Sequence, residues 1–424
     1  MHNRMITATA VLALTAGMAM AEKSEITVWG WGVAASSLMA TVEGFNALNP
    51  DITVNVEQMG YSQVKSRVLA ACAAGGTGLP DVFQFQNVEM ELITAQFPDC
   101  AADLAELGFG DDDAAKFPEF KMTALDTGDK IHGMPWDTGP VMMFYRRDFY
   151  ENAGVDAASI VTWDDFIEAG KKVQAANDGV VMTNDNLNGG AEWFRMIANE
   201  QGCGYFTLDG ESISINQPGC VAALDVLKTV VDEGLLTAGD FGERLQNSAA
   251  GAVATQMNGA WFEGSLRTNV PEDHAGKWGM YLMPTVAEGG PRAANVGGSL
   301  LAISNTSDNK EAAYKYIDYT LGTNEGQITM LREYGLVPSL LSALDDPYVA
   351  EPRDFWGGQT VWLDVLATLD DIVPAVGTPF FGDADQVMQA TQIAYINGEF
   401  STAQEALDDA ARQISFNTGL PIAE

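Results

Sequence analysis

Histidine is almost absent from this 424-residue chain: His2, His132 and His274 are all there is. Two of them lie beyond the N-terminal apolar stretch, too few for a histidine-built zinc site or a histidine-based triad. Basic residues are scarce as well. The 22 Lys and Arg stand against 58 Asp and Glu, for a formal net charge of −36. A surface of that sign repels nucleic acid and anionic lipid and keeps a protein soluble and monomeric. The four cysteines form no C-x-x-C, so neither a redox motif nor a zinc knuckle is indicated. There is no G-x-S-x-G, no H-E-x-x-H, no G-x-x-x-x-G-K-[ST] and no D-x-[DN]-x-[DN]-G loop. No G-x-G-x-x-G follows the first strand pattern, so a dinucleotide is not implied, and no other cofactor is either. With 58 acids, carboxylate pairs arise by chance, and counting alone leaves a two-carboxylate glycosidase open.

What is present begins with residues 1–21, "MHNRMITATAVLALTAGMAMA". One arginine, no acid, an apolar centre and the closing Ala19-Met20-Ala21 predict a cleaved secretory signal. No cysteine near the cleavage point offers a lipid anchor, and the lone Arg4 gives no twin-arginine signal. The mature chain is expected to start near Glu22 and to be free in the periplasm. No later stretch has the roughly 18 uninterrupted apolar residues of a membrane span. In such a compartment Cys72, Cys100, Cys203 and Cys220 suggest disulfides. Of three possible pairings, the local Cys72–Cys100 and Cys203–Cys220 are preferred, with buried free thiols as the other reading.

About 400 mature residues predict two lobes. "EITVWGWG", "DITVNVEQM" and "PDVFQFQ" read as strands, separated by helical patterns at "SSLMATVEGFNAL" and "SQVKSRVLAACAAG". This β-α-β-α-β order predicts a parallel sheet, whose ligands lie at the carboxyl ends of the strands. Those ends carry Trp29 and Trp31, Tyr61 and Ser62, and Gln84, Gln86 and Asn87. The middle repeats the style. "TWDDFIEAGKKVQAA", with Thr162 as N-cap, "EWFRMIANEQ" and "CVAALDVLKTVVDEG" read as helices. "GAVATQMNGAW" reads as a helix end or turn leading to a short strand, and "WGMYLMPTV" and "VGGSLLAISN" as strands.

One stretch poses a question: "HGMPWDTGPVMMFYRRDFYENAGV", residues 132–155. Val141–Tyr145 is a solid apolar run, the mark of a buried strand. Before it stand Trp136 and Asp137, an indole beside a carboxylate at the mouth of a core strand.

The order of the pieces carries a resemblance. A signal segment is followed by "ITVWGWG", "NPDITVNV", "GLPDVFQF", "KIHGMPWDTGPVMMFYRRDFYENAGV" and "TWDDF", then by "MNGAW", "VGGSLLAISN" and "AAYKYIDY". Over essentially the whole mature chain this resembles the extracellular solute-binding family of carbohydrate ABC importers, the relatives of maltodextrin-binding protein. "GLPDVFQFQN…QFPDCAADL" and "FWGGQTVW" look most similar to its lactose and plant-oligosaccharide branch. The resemblance implies an α/β fold of two hinged lobes, each a mostly parallel sheet flanked by helices. It implies capture of a di- or oligosaccharide in the cleft, without chemistry, and delivery to membrane permease subunits. Residues 22–135 and 284–325 are expected to form one lobe, and 136–283 and 326–424 the other. The crossings then fall near Pro135, Met283-Pro284 and Leu321–Glu325. The rival reading keeps this fold but gives it a polyamine, a phosphodiester or a sulfonated sugar.

Sugars offer C–H faces to aromatic rings and hydroxyls to planar donor and acceptor groups. On that chemistry the candidate ligand residues are Trp31, Gln86, Asp137, Trp193, Trp261, Gly297, Gly298, Arg332 and Trp356. Trp261 matches the position where the maltodextrin-binding relatives stack a sugar ring. Gly297-Gly298 would let backbone amides approach the ligand. Trp193, beside Glu192, and Trp356 have helix or loop packing as their other reading, and Arg332 has pairing with a nearby acid. Trp136 is either cleft wall or hinge plug.

Overall fold

The computed structural model describes residues 23–123, 125–374 and 376–424. The export signal expected at 1–21 lies outside them. Twelve strands are assigned among the described residues: β1 (Ser24–Trp31), β2 (Ile52–Met59), β3 (Val82–Gln86), β4 (Met134–Pro135), β5 (Asp137–Thr138), β6 (Val141–Arg146), β7 (Val181–Asp185), β8 (Leu236–Ala238), β9 (Val253–Gly259), β10 (Trp278–Leu282), β11 (Ser299–Ile303) and β12 (Val337–Pro338). They form one sheet in the order β2-β1-β3-β11-β4, a second in the order β10-β6-β9-β7-β8, and a ribbon of β5 and β12.

In each sheet four strands run one way and one runs against them, β11 in the first and β6 in the second. β1 pairs parallel with β2 and β3, as the β-α-β-α-β order requires. β11 arrives from the other lobe and enters antiparallel, between β3 and β4. In the second sheet β9 runs parallel to β7 but antiparallel to β6, and β10 is antiparallel to β6. Segments that cross a hinge come in from the cleft end of a lobe, which reverses their direction relative to strands wound within it.

Both sheets are covered on both faces. Along β6, Val141 and Met143 point to one hydrophobic core and Met142 and Phe144 to another. Alternation of side chains on a strand produces this split, and burial on both faces explains the unbroken apolar run. The helices Gly32–Leu48 and Lys310–Gly322 cover one face of the first sheet, and the helix Tyr61–Ala73 the other. The helix Trp163–Ala176 starts as read, with Thr162 in a capping box with Asp165. Both local disulfides form, Cys72–Cys100 and Cys203–Cys220, with Cα separations of 5.2 and 5.5 Å.

Three segments join the lobes. The first passes from β4 through the ribbon strand β5 to β6, and the second lies between the end of β10 and the start of β11. The third lies in the segment that ends in β12. The helix Asn324–Tyr334 packs on Gly32–Leu48, and β12 after it pairs with β5 in the ribbon. Trp136 sits where the three meet. Its backbone N–H donates to the Ser299 carbonyl at 2.9 Å. Its carbonyl accepts from Gln327 Nε2 at 3.1 Å and from the Ser339 N–H at 3.2 Å. Its indole is fully buried, with Nε1 3.1 Å from Met330 Sδ. The tryptophan is therefore the plug of the hinge, and only its neighbour Asp137 reaches the cleft.

Candidate functional site

Between the lobes lies a cavity of about 1200 Å³. The carboxyl ends of β1 and β3 supply Trp31, Gln84 and Gln86, and the helix after β2 supplies Tyr61. Trp31 and Tyr61 meet edge to face, with centroids 5.2 Å apart and planes at 77°. The Trp31 backbone N–H donates to Gln84 Oε1 at 2.9 Å, and Gln84 Nε2 donates to Ser299 Oγ at 2.9 Å. This relay fixes the strand end to β11 and holds the aromatic pair at the wall.

Asp137 projects from β5 into the cavity and is otherwise buried. Its Oδ1 accepts the Ser299 N–H at 2.8 Å. Lys121 Nζ approaches from behind, donating to the Asp137 backbone carbonyl at 2.6 Å and to Asn87 Oδ1 at 2.7 Å. Burial raises the Asp137 carboxyl above the ordinary carboxylate range, against the pull of Lys121 and the Ser299 amide. Burial also pushes the Lys121 ammonium down to about 8.

Trp261 follows β9 and rests in a nest of glycines. A Cβ on Gly259 would stand 2.3 Å from Trp261 Nε1, and one on Gly139 would stand 2.0 Å from the Val296 carbonyl oxygen. Gly297 and Gly298 line the cavity too, at φ +86° and +98°, a region that favours glycine. Gly298 has a second reason to lack a side chain: its Cβ would lie 2.7 Å from Lys121 Nζ.

The second-lobe wall comes chiefly from the helix Glu192–Glu200, which turns Glu192, Arg195 and Asn199 to the cavity. Positions i, i+3 and i+7 share one helix face. Glu192 Oε2 is 3.3 Å from Nη1 of the buried Arg244, which also pairs with Asp185 at 3.4 Å. Burial raises the Asp185 carboxyl, with Arg244 opposing. Asn199 Oδ1 accepts the Asn295 N–H at 2.8 Å, tying this helix to the second crossing. Phe194, Tyr205, Phe206, Phe241 and Phe381 add to the aromatic lining.

Of the residues expected from the sequence, Trp31, Gln86, Asp137, Trp261, Gly297 and Gly298 come together here. Three do not. Trp193 lies on the opposite face of its helix, fully buried against Trp163 and Phe166. Trp356 is fully buried in the core of the hinge side, its indole donating to Glu263 Oε1 at 3.1 Å. The Arg332 guanidinium lies over the Tyr348 ring at 4.9 Å, away from the cavity lining. Arg195 and Asn199 were passed over in "EWFRMIANEQ", although their polar i, i+3, i+7 spacing with Glu192 was the available signal. Among the described residues no group of three or more His, Cys, Asp and Glu is placed to hold a metal ion, and no helix is long and apolar enough to cross a membrane.

A family model for bacterial extracellular solute-binding proteins matches residues 40–355. The chain is 29% identical to a lactose-binding protein of Rhizobium radiobacter, over 96% of each chain. It is 26% identical to an arabinooligosaccharide-binding protein of Bacillus subtilis, over 92% of each. Among solved structures, an ABC transporter associated binding protein of B. animalis subsp. lactis, in complex with β-1,6-galactobiose, superposes with a TM-score of 0.80. It is 25% identical, and the match covers 95% of this chain and all of that one. The GacH receptor of Streptomyces glaucescens superposes with a TM-score of 0.79 at 17% identity, over 93% and 98% of the two chains.

Proposed function

The chain belongs to the bacterial extracellular solute-binding proteins, and on that premise we propose that it captures a di- or oligosaccharide between its lobes and delivers it to the permease of an ABC importer. The observation that carries this reading is the composition of the cavity. Aromatic rings stand on both walls, Trp31 and Tyr61 on one, Trp261 and Phe241 on the other. Between them are fixed acceptors, Asp137 and Glu192, each tied from behind by a donor. Rings that stack on C–H faces, with carboxylates that accept paired hydroxyls, suit a sugar. A volume of about 1200 Å³ lies above the usual range for small-molecule pockets, which favours more than one ring. The relatives named for lactose and arabinooligosaccharides support the same class.

The protein acts, on this reading, in the periplasm as a monomer, exported by its N-terminal signal, and binds without turning its ligand over. Two disulfides suit an oxidising compartment. The test is a thermal-shift screen of the mature protein against mono-, di- and oligosaccharides, with polyamines and sugar phosphates as controls. A ligand at a hundred times its dissociation constant adds about 2.7 kcal/mol and raises the melting temperature. A shift confined to a polyamine or a phosphate would keep the fold and overturn the function. Release of chromophore from a nitrophenyl glycoside would overturn the absence of chemistry.

A further inference from the structure

The cavity-facing stripe of the helix Glu192–Glu200 contains one group whose surroundings are incomplete. Glu192 is tied to Arg244, and Asn199 donates to the Val373 carbonyl and accepts from Asn295. Arg195 lies between them, lines the cavity, and keeps 26% of its side chain accessible. Its Nε has no hydrogen-bond partner among the described residues. Asp385 Oδ1 stands 3.5 Å from that nitrogen, an ion pair without a hydrogen bond. The guanidinium is 5.5 Å from the centroid of Phe381, which supports its plane.

Asp385 itself is firmly set. Its Oδ1 accepts from the Tyr205 hydroxyl at 2.7 Å and its Oδ2 from Gln389 Nε2 at 2.8 Å. The arginine is thus steered by one fixed carboxylate and one aromatic face. Tyr61 of the other lobe is close enough to feel both Arg195 and Asp385. A largely enclosed guanidinium with open donors is costly to hold, unless something arrives to accept from it. The flanking acids Asp385 and Glu192 offset its charge, which leaves little attraction for a second anion but leaves the donors intact.

We propose that Arg195 is the specificity-determining donor of the second lobe, bonding oxygens of an uncharged sugar, with Asp385 as its positioning residue. This rests on the carbohydrate reading. A planar fork of N–H groups matches adjacent sugar oxygens, and a charged donor strengthens each bond.

The experiment is calorimetry with the sugar that gives the wild-type protein its largest thermal shift, alongside the matching uronate. Arg195→Ala should bind the neutral sugar at least tenfold more weakly at an unchanged melting temperature without ligand. Arg195→Lys should not restore binding, because a point charge lacks the fork. Asp385→Asn should weaken the neutral sugar several-fold and narrow its preference over the uronate, a change that a merely structural role would not produce. Asp385→Glu should recover part of both. If Arg195→Ala fails to fold, Arg195→Gln, which also removes the charged fork, carries the same expectation. Affinity within twofold of wild type in the folded variant overturns the assignment, as does a wild-type preference for the uronate. A wild-type protein that no sugar stabilises removes the carbohydrate reading and this assignment with it.

Discussion

The indole N–H of Trp261 donates to the carbonyl of Val296 at 2.9 Å, so a ring from the second lobe is fastened by its polar edge to the second crossing. Both residues line the cavity. The indole has its one donor satisfied within the protein, which leaves the ring for apolar contact. The Phe241 ring lies 6.1 Å away at a tilt of 38°, extending the same surface.

Trp261→Ala should therefore weaken sugar binding at least tenfold. Loss of a stacked ring is worth about 1–3 kcal/mol, by analogy with base stacking on aromatic side chains. Trp261→Phe should lie between, since it keeps a ring but gives up the bond to Val296. Titration calorimetry reads both, and circular dichroism checks that the fold is kept. Wild-type affinity in Trp261→Ala would place the ligand elsewhere in the cavity.

Gly139→Ala tests the nest that holds this ring. The added methyl would meet the Val296 carbonyl oxygen at 2.0 Å, and that atom is backbone. Overpacking of this kind costs about 1–3 kcal/mol, and moving Val296 also moves Trp261. Lower stability in urea and weaker sugar binding should appear together. Gly60→Ala is the control, because its φ is −74° and its methyl would meet nothing within 4 Å.

Binding should weaken on acidification before an ordinary carboxylate would titrate. On the proposed reading Asp137 accepts sugar hydroxyls, which its carboxyl does at both oxygens only when ionised, and burial raises its folded-state pKa above 3.8. Protonation, and with it loss of an acceptor, therefore sets in at a pH higher than for an exposed aspartate. Calorimetry between pH 7 and pH 4 should show this fall. Asp137→Asn should bind more weakly at neutral pH and lose this part of the pH dependence. A variant with the wild-type profile would assign the effect to another group.

Replacing Cys203 and Cys220 together by serine should lower stability by about 2–4 kcal/mol, the range expected for a loop of this length. Denaturation with and without a reductant checks it. The reductant should shift the midpoint of the wild type more than that of the double variant, which retains Cys72–Cys100. No difference between the two would mean that Cys203–Cys220 contributes nothing to stability.

Several features were legible in the sequence because their causes are local. Thr162 caps a helix because its side chain reaches the Asp165 N–H three residues on. The first three strands and two helices follow from short apolar runs and from helical apolar spacing, broken by Asn49-Pro50 and Gly75-Gly76. The stretch "GAVATQMNGAW" was harder. β9 is buried at all seven positions in the second sheet, so it shows no alternation and reads as a helix end or turn leading to a short strand. The packing of the helix Asn324–Tyr334 on Gly32–Leu48 was not legible either, because it joins segments some 290 positions apart and has no short-range signal.

The sequence by itself determined the order of the first strands and helices, the excess of acidic residues and the run of motifs that marks the family. These depend on composition, short-range spacing and neighbours in the chain. Only the tertiary structure decided which aromatic residues face the cavity. Trp136 and Asp137 are adjacent, yet one is sealed by Gln327 and Met330, some 190 positions away, while the other reaches the cavity. Trp193 and Glu192 part in the same way, because each residue along a helix turns about 100° from the last. Whether a side chain meets core or cleft depends on what distant segments pack against it, and that is a property of the assembled fold.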